Sequence, residues 1–158
     1  MRSRFLMNIL LSFVWVALTG VFEYPNFLFG FLLSFIIMWV ISRVDGDNRY
    51  FTVAIKIIGF FIFFMRELTK ANIEVAYAVV ARKFRMKPGI VCLPLSAQTD
   101  LEITLLANLI SLTPGTLSLD VSDDRKVLYV HVMYLHDQET FVQSIKNGFE
   151  RRLLSIMR

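Results

Sequence analysis

Residues Phe5 to Ser42, FLMNILLSFVWVALTGVFEYPNFLFGFLLSFIIMWVIS, form 38 residues of almost unbroken apolar sequence. The one break in them is the stretch Glu23, Tyr24, Pro25, Asn26. Pro25 has no amide to donate and disfavours the helical region for Tyr24, so the chain is expected to leave one helix and enter the next there. At 1.5 Å per residue, Phe5 to Phe22 covers about 27 Å and Phe27 to Ser42 about 24 Å, against a hydrocarbon layer of ~30 Å. The segment therefore reads as a tight hairpin of two membrane spans. Two helices buried in a soluble core would each show a polar face, and these carry only scattered Ser, Thr and Asn.

Working outward, the hydrophobic fraction of 56% and mean hydropathy of +0.57 exceed those of a soluble domain, about 45–50% apolar. Residues 1–85 hold ten Lys/Arg against five Asp/Glu, whereas residues 86–158 hold seven against eight. The basic balance thus belongs to the membrane flanks and points to anionic lipid headgroups, with no nucleic acid among the partners. Arg2 and Arg4 precede the first span, Arg43 and Arg49 follow the second, and the turn carries none. The positive-inside rule then predicts a cytoplasmic N-terminus and an outward-facing turn. Glu23 reads as a solvated residue beside that turn. Gly20, Gly30 and Ser34 read as small residues that let helices approach closely, Trp15 as a packing residue and Trp39 as an interfacial indole. A second apolar run so soon after the first argues against a cleaved signal peptide.

Phe51 to Met65 is apolar again, interrupted by Lys56, and helical character runs on to Phe84. A third span would put Arg66, Lys70, Arg82, Lys83, Arg85 and Lys87 on the face opposite Arg43 and Arg49, which the positive-inside rule penalises. Residues 51–84 are read as a helix along the cytoplasmic interface, with a third span as the competing reading. Lys56 is expected to snorkel to the headgroups. Glu67 and Glu74, among cations, are expected to be surface salt-bridge partners.

Pro88 and Gly89 stop that helix and set a domain boundary near Met86. The expected organisation is 1–50 hairpin, 51–85 interfacial or third helix, and 86–158 a cytoplasmic α+β domain. Gly89 to Leu95 fits a strand. Thr99 and Glu102 carry a capping-box signature opening a helix from Asp100 to Leu112, with Leu101, Leu105, Leu109 and Leu112 on one face beside Leu106 and Ile110. Leu117, Leu119 and Val121 alternate with polar residues, Ser122 to Lys126 supplies a turn, and Val127 to Tyr134 a further strand. Asp137 can cap a last helix with Phe141, Ile145, Phe149 and Leu153 on its apolar face. The order βαββα matches a ferredoxin-like unit lacking its last strand, which leaves a sheet edge to be covered.

Chemistry is sparse. His131 and His136, near Asp120, Asp123, Asp124 and Asp137, form the only cluster suggestive of a metal or acid–base site, and turn and cap duties account for the aspartates. No phosphate loop, nucleophile elbow or His-x-x-x-His pair occurs. The single cysteine, Cys92, excludes an internal disulfide. No catalytic, cofactor-binding or metal residue is assigned, no cofactor is expected, and the chain is not expected to be an enzyme.

The run Asn108-Leu-Ile-Ser-Leu-Thr-Pro-Gly-Thr-Leu-Ser-Leu-Asp-Val121, followed by Leu128-Tyr-Val-His131, closely resembles the E-type subunits of the multi-subunit monovalent cation/proton antiporters called Mrp or Mnh. The resemblance extends to the whole chain, including Trp15-Val-Ala-Leu-Thr-Gly20. It implies an accessory or assembly component of a bacterial plasma-membrane complex that exchanges sodium for protons, with larger membrane subunits as partners. It carries over no catalytic residue. Pro114 and Gly115 have structural reasons of their own: a fixed helix stop and a permitted positive φ. The competing functional reading is a membrane-tethered small-ligand sensor, resting on fold analogy alone.

Overall fold

The computed structural model describes residues 2–45, 48–80, 87–135 and 137–158. The basic cluster at 82–85, the boundary at Met86 and His136 lie outside them. The described chain runs α1 (Arg2–Thr19), α2 (Tyr24–Asp45), α3 (Arg49–Val80), β1 (Gly89–Pro94), α4 (Asp100–Leu112), β2 (Thr116–Val121), β3 (Val127–Val132), α5 (Gln138–Ile145), a π-helical turn (Lys146–Glu150) and α6 (Arg151–Met157). It divides into two compact units, Met1–Ile55 and Lys56–Arg158.

In the first unit the break falls earlier than Pro25. Gly20 adopts φ +68°, and its amide donates to Val16 O at 3.0 Å, a left-handed helix stop that glycine enters without steric cost. Pro25 instead lies in the first turn of α2, where its missing amide costs nothing. Gly20 is therefore a terminator and not a packing residue: a Cβ there would meet nothing within 4 Å. Gly30 is the true close approach, since a Cβ would lie 2.8 Å from Cδ1 of Trp15. Asn26 secures the turn by accepting from Trp15 Nε1 at 3.0 Å and donating to Thr19 Oγ1 and Val21 O, each at 2.7 Å. Because α1 ends at Thr19, its apolar run is only Ser3–Thr19, about 26 Å at helical rise. Of the described helices, only α2, over Tyr24–Arg43, is both long and apolar enough to cross a bilayer. Among the described helices there is thus one clear candidate span, α2, preceded by the shorter apolar helix α1.

In the second unit three antiparallel strands lie in the order β1-β3-β2. Val91, Leu93, Leu128, Val130 and Val132 share the face that packs on Leu106, Ile110, Ile145, Phe149 and Leu153. The buried side of α4 is Ile103, Leu106 and Ile110, so the sheet covers the Leu106 and Ile110 side of the wide leucine stripe and leaves Leu101, Leu105 and Leu112 uncovered. Leu101 and Leu112 are each 62% exposed, and Leu109 is half-buried at the core's margin. A helix with leucine on two adjacent stripes leaves its burial angle open, and the sheet selects the stripe that meets its own valines. Likewise, a bulge between Ser118 and Asp120 resets β2. Ser118 turns toward α4, donating to Ala107 O at 3.0 Å, while Leu117 and Leu119 turn away from the core.

The last helix buries Ile145, Phe149 and Leu153, spaced by four. At 3.6 residues per turn a four-residue step overshoots by about 40°. The π-helical turn Lys146–Glu150 takes up an extra residue and holds these side chains on one side. Phe149 meets the ring of Phe63 at 5.2 Å, and a Cβ on Gly148 would lie 3.0 Å from that ring.

Candidate functional site

A cleft of about 170 Å³ opens in the second unit between α3, the end of α4 and α5. One wall is α3, whose Glu67, Lys70, Ala71 and Glu74 fall at i, i+3, i+4 and i+7 and so share a face. The opposite wall is the turn Thr113-Pro-Gly-Thr116. Thr113 caps α4, its amide donating to Ile110 O at 3.0 Å and its hydroxyl to Leu109 O at 3.1 Å. Gly115 takes φ +88°, and its carbonyl accepts from Met133 N at 2.8 Å, joining the turn to the end of β3. Thr116 Oγ1 donates to the carbonyls of Ile110 and Thr113. Ile110, Val132 and Phe149 floor the cleft, and Phe141 and Ser144 close it from α5. The distinctive sequence motif of this chain thus faces the charged side of α3. Contrary to expectation, no ion pair engages Glu67 or Glu74 among the described residues.

Two buried carboxylates clamp the loop from Leu95 to Thr99. Glu102 accepts from the amides of Gln98 and Thr99 at 2.8 and 3.2 Å, and the Glu102 amide donates to Thr99 Oγ1, completing the capping box read from the sequence. Arg158 donates to both Glu102 oxygens at 3.0 Å. That guanidinium first, and then the two amides, lower the Glu102 pKa to about 2, and the carboxylate in turn raises that of Arg158. Glu150 accepts from the amides of Ser96 and Ala97, with Lys146 at 3.7 Å. The sequence offered no sign of Glu150 beyond its i,i+4 spacing from Lys146, and none of its link to the loop 53 residues away.

The residues weighed for chemistry are dispersed. His131 lies on the outer face of β3, opposite Ile90 and Leu117. Asp124 accepts from Ser122 and the Lys126 amide, and Asp137 accepts from the hydroxyl and amide of Thr140 as the cap of α5, bonds that lower both pKa values. Among the described residues no three His, Cys, Asp or Glu come together as metal ligands. Lys56 donates to Ser155 O at 2.9 Å on the last helix, where a cation complements the helix C-terminus.

Residues 8–156 match a family profile described as Na+/H+ ion antiporter subunit. A Na(+)/H(+) antiporter subunit of the E type, from Alkalihalophilus pseudofirmus, is 36% identical over 156 residues, covering 99% of each chain. Among solved structures, a chain of the membrane-bound sulfane sulfur reductase, an archaeal respiratory membrane complex, aligns with TM-score 0.60 and 28% identity over 98% of this chain and 99% of its own. A chain of the Mrp complex from a Dietzia species aligns with TM-score 0.50 and 29% identity over 65% of this chain and 96% of its own.

Proposed function

This chain belongs to the E-type family of Na+/H+ antiporter subunits and is a component of a multi-subunit antiporter of a bacterial membrane, and from that premise we infer that its part is to hold partner subunits together. The observation that carries this is the outer face of its sheet. Ile90, Leu117 and Leu119 are 60%, 51% and 48% exposed, and β1 and β2 each have one side unpaired within the sheet. A largely apolar face beside open strand edges, here crossed by His131 of β3, is a docking surface and a liability if left bare. The carboxylates Glu102, Glu150, Asp124 and Asp137 are occupied in capping and clamping, which supports a scaffold over an ion relay. The kinship with a chain of a respiratory complex favours the same role, since a fold shared between differently named complexes is not tied to sodium chemistry. A small-ligand sensor is disfavoured by the family match, which covers nearly the whole chain and is to antiporter subunits.

The strand order β1-β3-β2 with intervening α4 supports a ferredoxin-like unit lacking its last strand. In this reading residues 86–158 lie at the cytoplasmic face of the plasma membrane with the N-terminus on the same side, α1 and α2 both crossing and α3 along the interface. The apolar residues Ile58, Ile62, Ile73 and Tyr77 on the exposed side of α3 suit that position. Labelling of intact cells with an impermeant thiol reagent tests the arrangement. In a Cys92→Ser background, Tyr24→Cys should react and Asp123→Cys should not. Tyr24 is chosen because it is open to solvent, whereas Asn26 holds the turn. Reaction at Asp123→Cys would establish a third crossing.

A further inference from the structure

We propose that the cleft between α3 and the Thr113–Thr116 turn receives one basic side chain, a lysine or arginine, from a partner membrane subunit; this rests on the docking role inferred above. Size selects a single side chain, since the volume is too small for a nucleotide or prosthetic group. Charge selects a cation. Glu67 and Glu74 stand on the α3 wall without an ion pair among the described residues, and with Lys70 between them that wall carries one net negative charge. An anion would find no free hydroxyl at the turn, because Thr113 and Thr116 both donate to backbone carbonyls. Shape selects a long side chain with an apolar stem: Ile110, Val132 and Phe149 would take the methylenes while one of the two carboxylates pairs with the charged head. A bare metal ion fits poorly. Glu67 and Glu74 are seven residues apart, about 10.5 Å along the helix, whereas oxygen ligands must converge to about 2.3–2.6 Å. The capped turn explains the distinctive Thr-Pro-Gly-Thr run, since its threonine hydroxyls bond inward and hold the opposite wall of the cleft rigid.

The test uses the full chain, affinity-tagged and expressed with its own antiporter subunits, and reads the ratio of those subunits to the tagged chain by quantitative mass spectrometry after purification. The double variant Glu67→Gln, Glu74→Gln should retain the other subunits about tenfold less well, the loss expected when a sequestered charge loses its partner. Lys70→Gln, which leaves the wall more negative, should retain them at least as well as the parent. Hydrogen exchange at the β3 amides should not change in either. Should the double variant loosen β3, Glu74→Gln alone decides by the same ratio, its side chain being exposed. Unchanged retention in the Gln variants overturns the proposal. Leu106→Asp separates it from the docking role: if that variant sheds the subunits and the Gln variants keep them, docking stands and occurs elsewhere. If none sheds them, the docking role fails too.

Discussion

In the first unit the fully buried polar side chains are Asn8, Ser12 and Ser42, whereas the second unit buries Glu102 and Glu150. Apart from Ser12, which bonds back to Asn8 O within α1, each of them ties one element to another, but under different penalties. Asn8 Nδ2 donates to Tyr50 OH at 3.2 Å, and Ser42 Oγ to Asn48 Oδ1 at 2.8 Å, linking α1 and the end of α2 to the start of α3. Neutral groups suit an apolar helical unit, because a missing partner costs about 1–3 kcal/mol for an amide and more for a charge. The Oδ1 of Asn8 is indeed buried without a partner among the described residues. No oxygen of Glu102 or Glu150 is left in that state. Carboxylates therefore lock loops where water and cations are at hand, and amides and hydroxyls lock helices where they are not.

The comparison breaks most sharply at Leu106. It is fully buried between α4 and the sheet, so Leu106→Ala should cost about 2–5 kcal/mol, a large share of a domain's ~5–15 kcal/mol. Hydrogen exchange of the β3 amides in the full chain reads this directly, and a matching loss of co-purified subunits is expected. Leu109→Ala, at the margin of the core, should cost distinctly less. Equal effects at the two positions would mean that α4 buries the stripe read from sequence. Trp15 and Trp39 both lie in the first unit, so tryptophan fluorescence should report neither change.

The choice of which side of that stripe is buried marks where the sequence stops being sufficient. Elements with a local cause were legible: Thr99 and Glu102 cap α4 as their spacing demands, Asp137 caps α5, and Pro114–Gly115 ends α4. Features settled by a tertiary partner were not. Gly20 and Pro25 are both helix breakers, and only the chain's path shows that one stops α1 while the other starts α2. Leu117, Leu119 and Val121 alternate as one face would, and the bulge after Ser118 puts Val121 on the core side while Leu117 and Leu119 stay outside. Glu67 and Glu74 looked like surface charges among lysines and arginines, and become a cleft wall only once the Thr113–Thr116 turn is set against α3. Glu150 needed a π-helical turn to reach Ser96 and Ala97, and no local pattern encodes it.

Acid should distinguish the two kinds of lock. The Glu102 carboxyl sits at about 2 in the folded chain against 4.5 when unperturbed. A depressed folded pKa contributes stability that is complete above the unfolded value and is lost as pH falls toward the folded one. Protection of the α4 and loop amides should therefore decline between about pH 4.5 and 2, while protection of α1 and α2, locked by neutral groups, should not follow it. Glu102→Gln should flatten the dependence in that window and lower protection at neutral pH. A pH profile unaltered by Glu102→Gln would show that Arg158 and the Gln98 and Thr99 amides do not hold this carboxylate ionised.

The smallest effect is expected at Lys56, where the second unit begins. Two environments compete for its amine. Snorkelling would carry it to lipid headgroups, leaving the last helix indifferent to it. The structure instead sets Nζ 2.9 Å from the carbonyl of Ser155, one of the final carbonyls of α6 that have no partner further along the helix. A cation at a helix C-terminus contributes about 0.3–1 kcal/mol. Lys56→Met keeps the apolar stem and removes the charge, so amide exchange in α6 should quicken by about two- to fivefold, with α3 and the hairpin unaffected. Raised salt should erase most of the difference, since the bond is exposed and screened. If exchange in α6 is untouched and membrane association of the chain falls instead, Lys56 belongs to the lipid surface and the last helix is held by Phe63 and Phe149 without it.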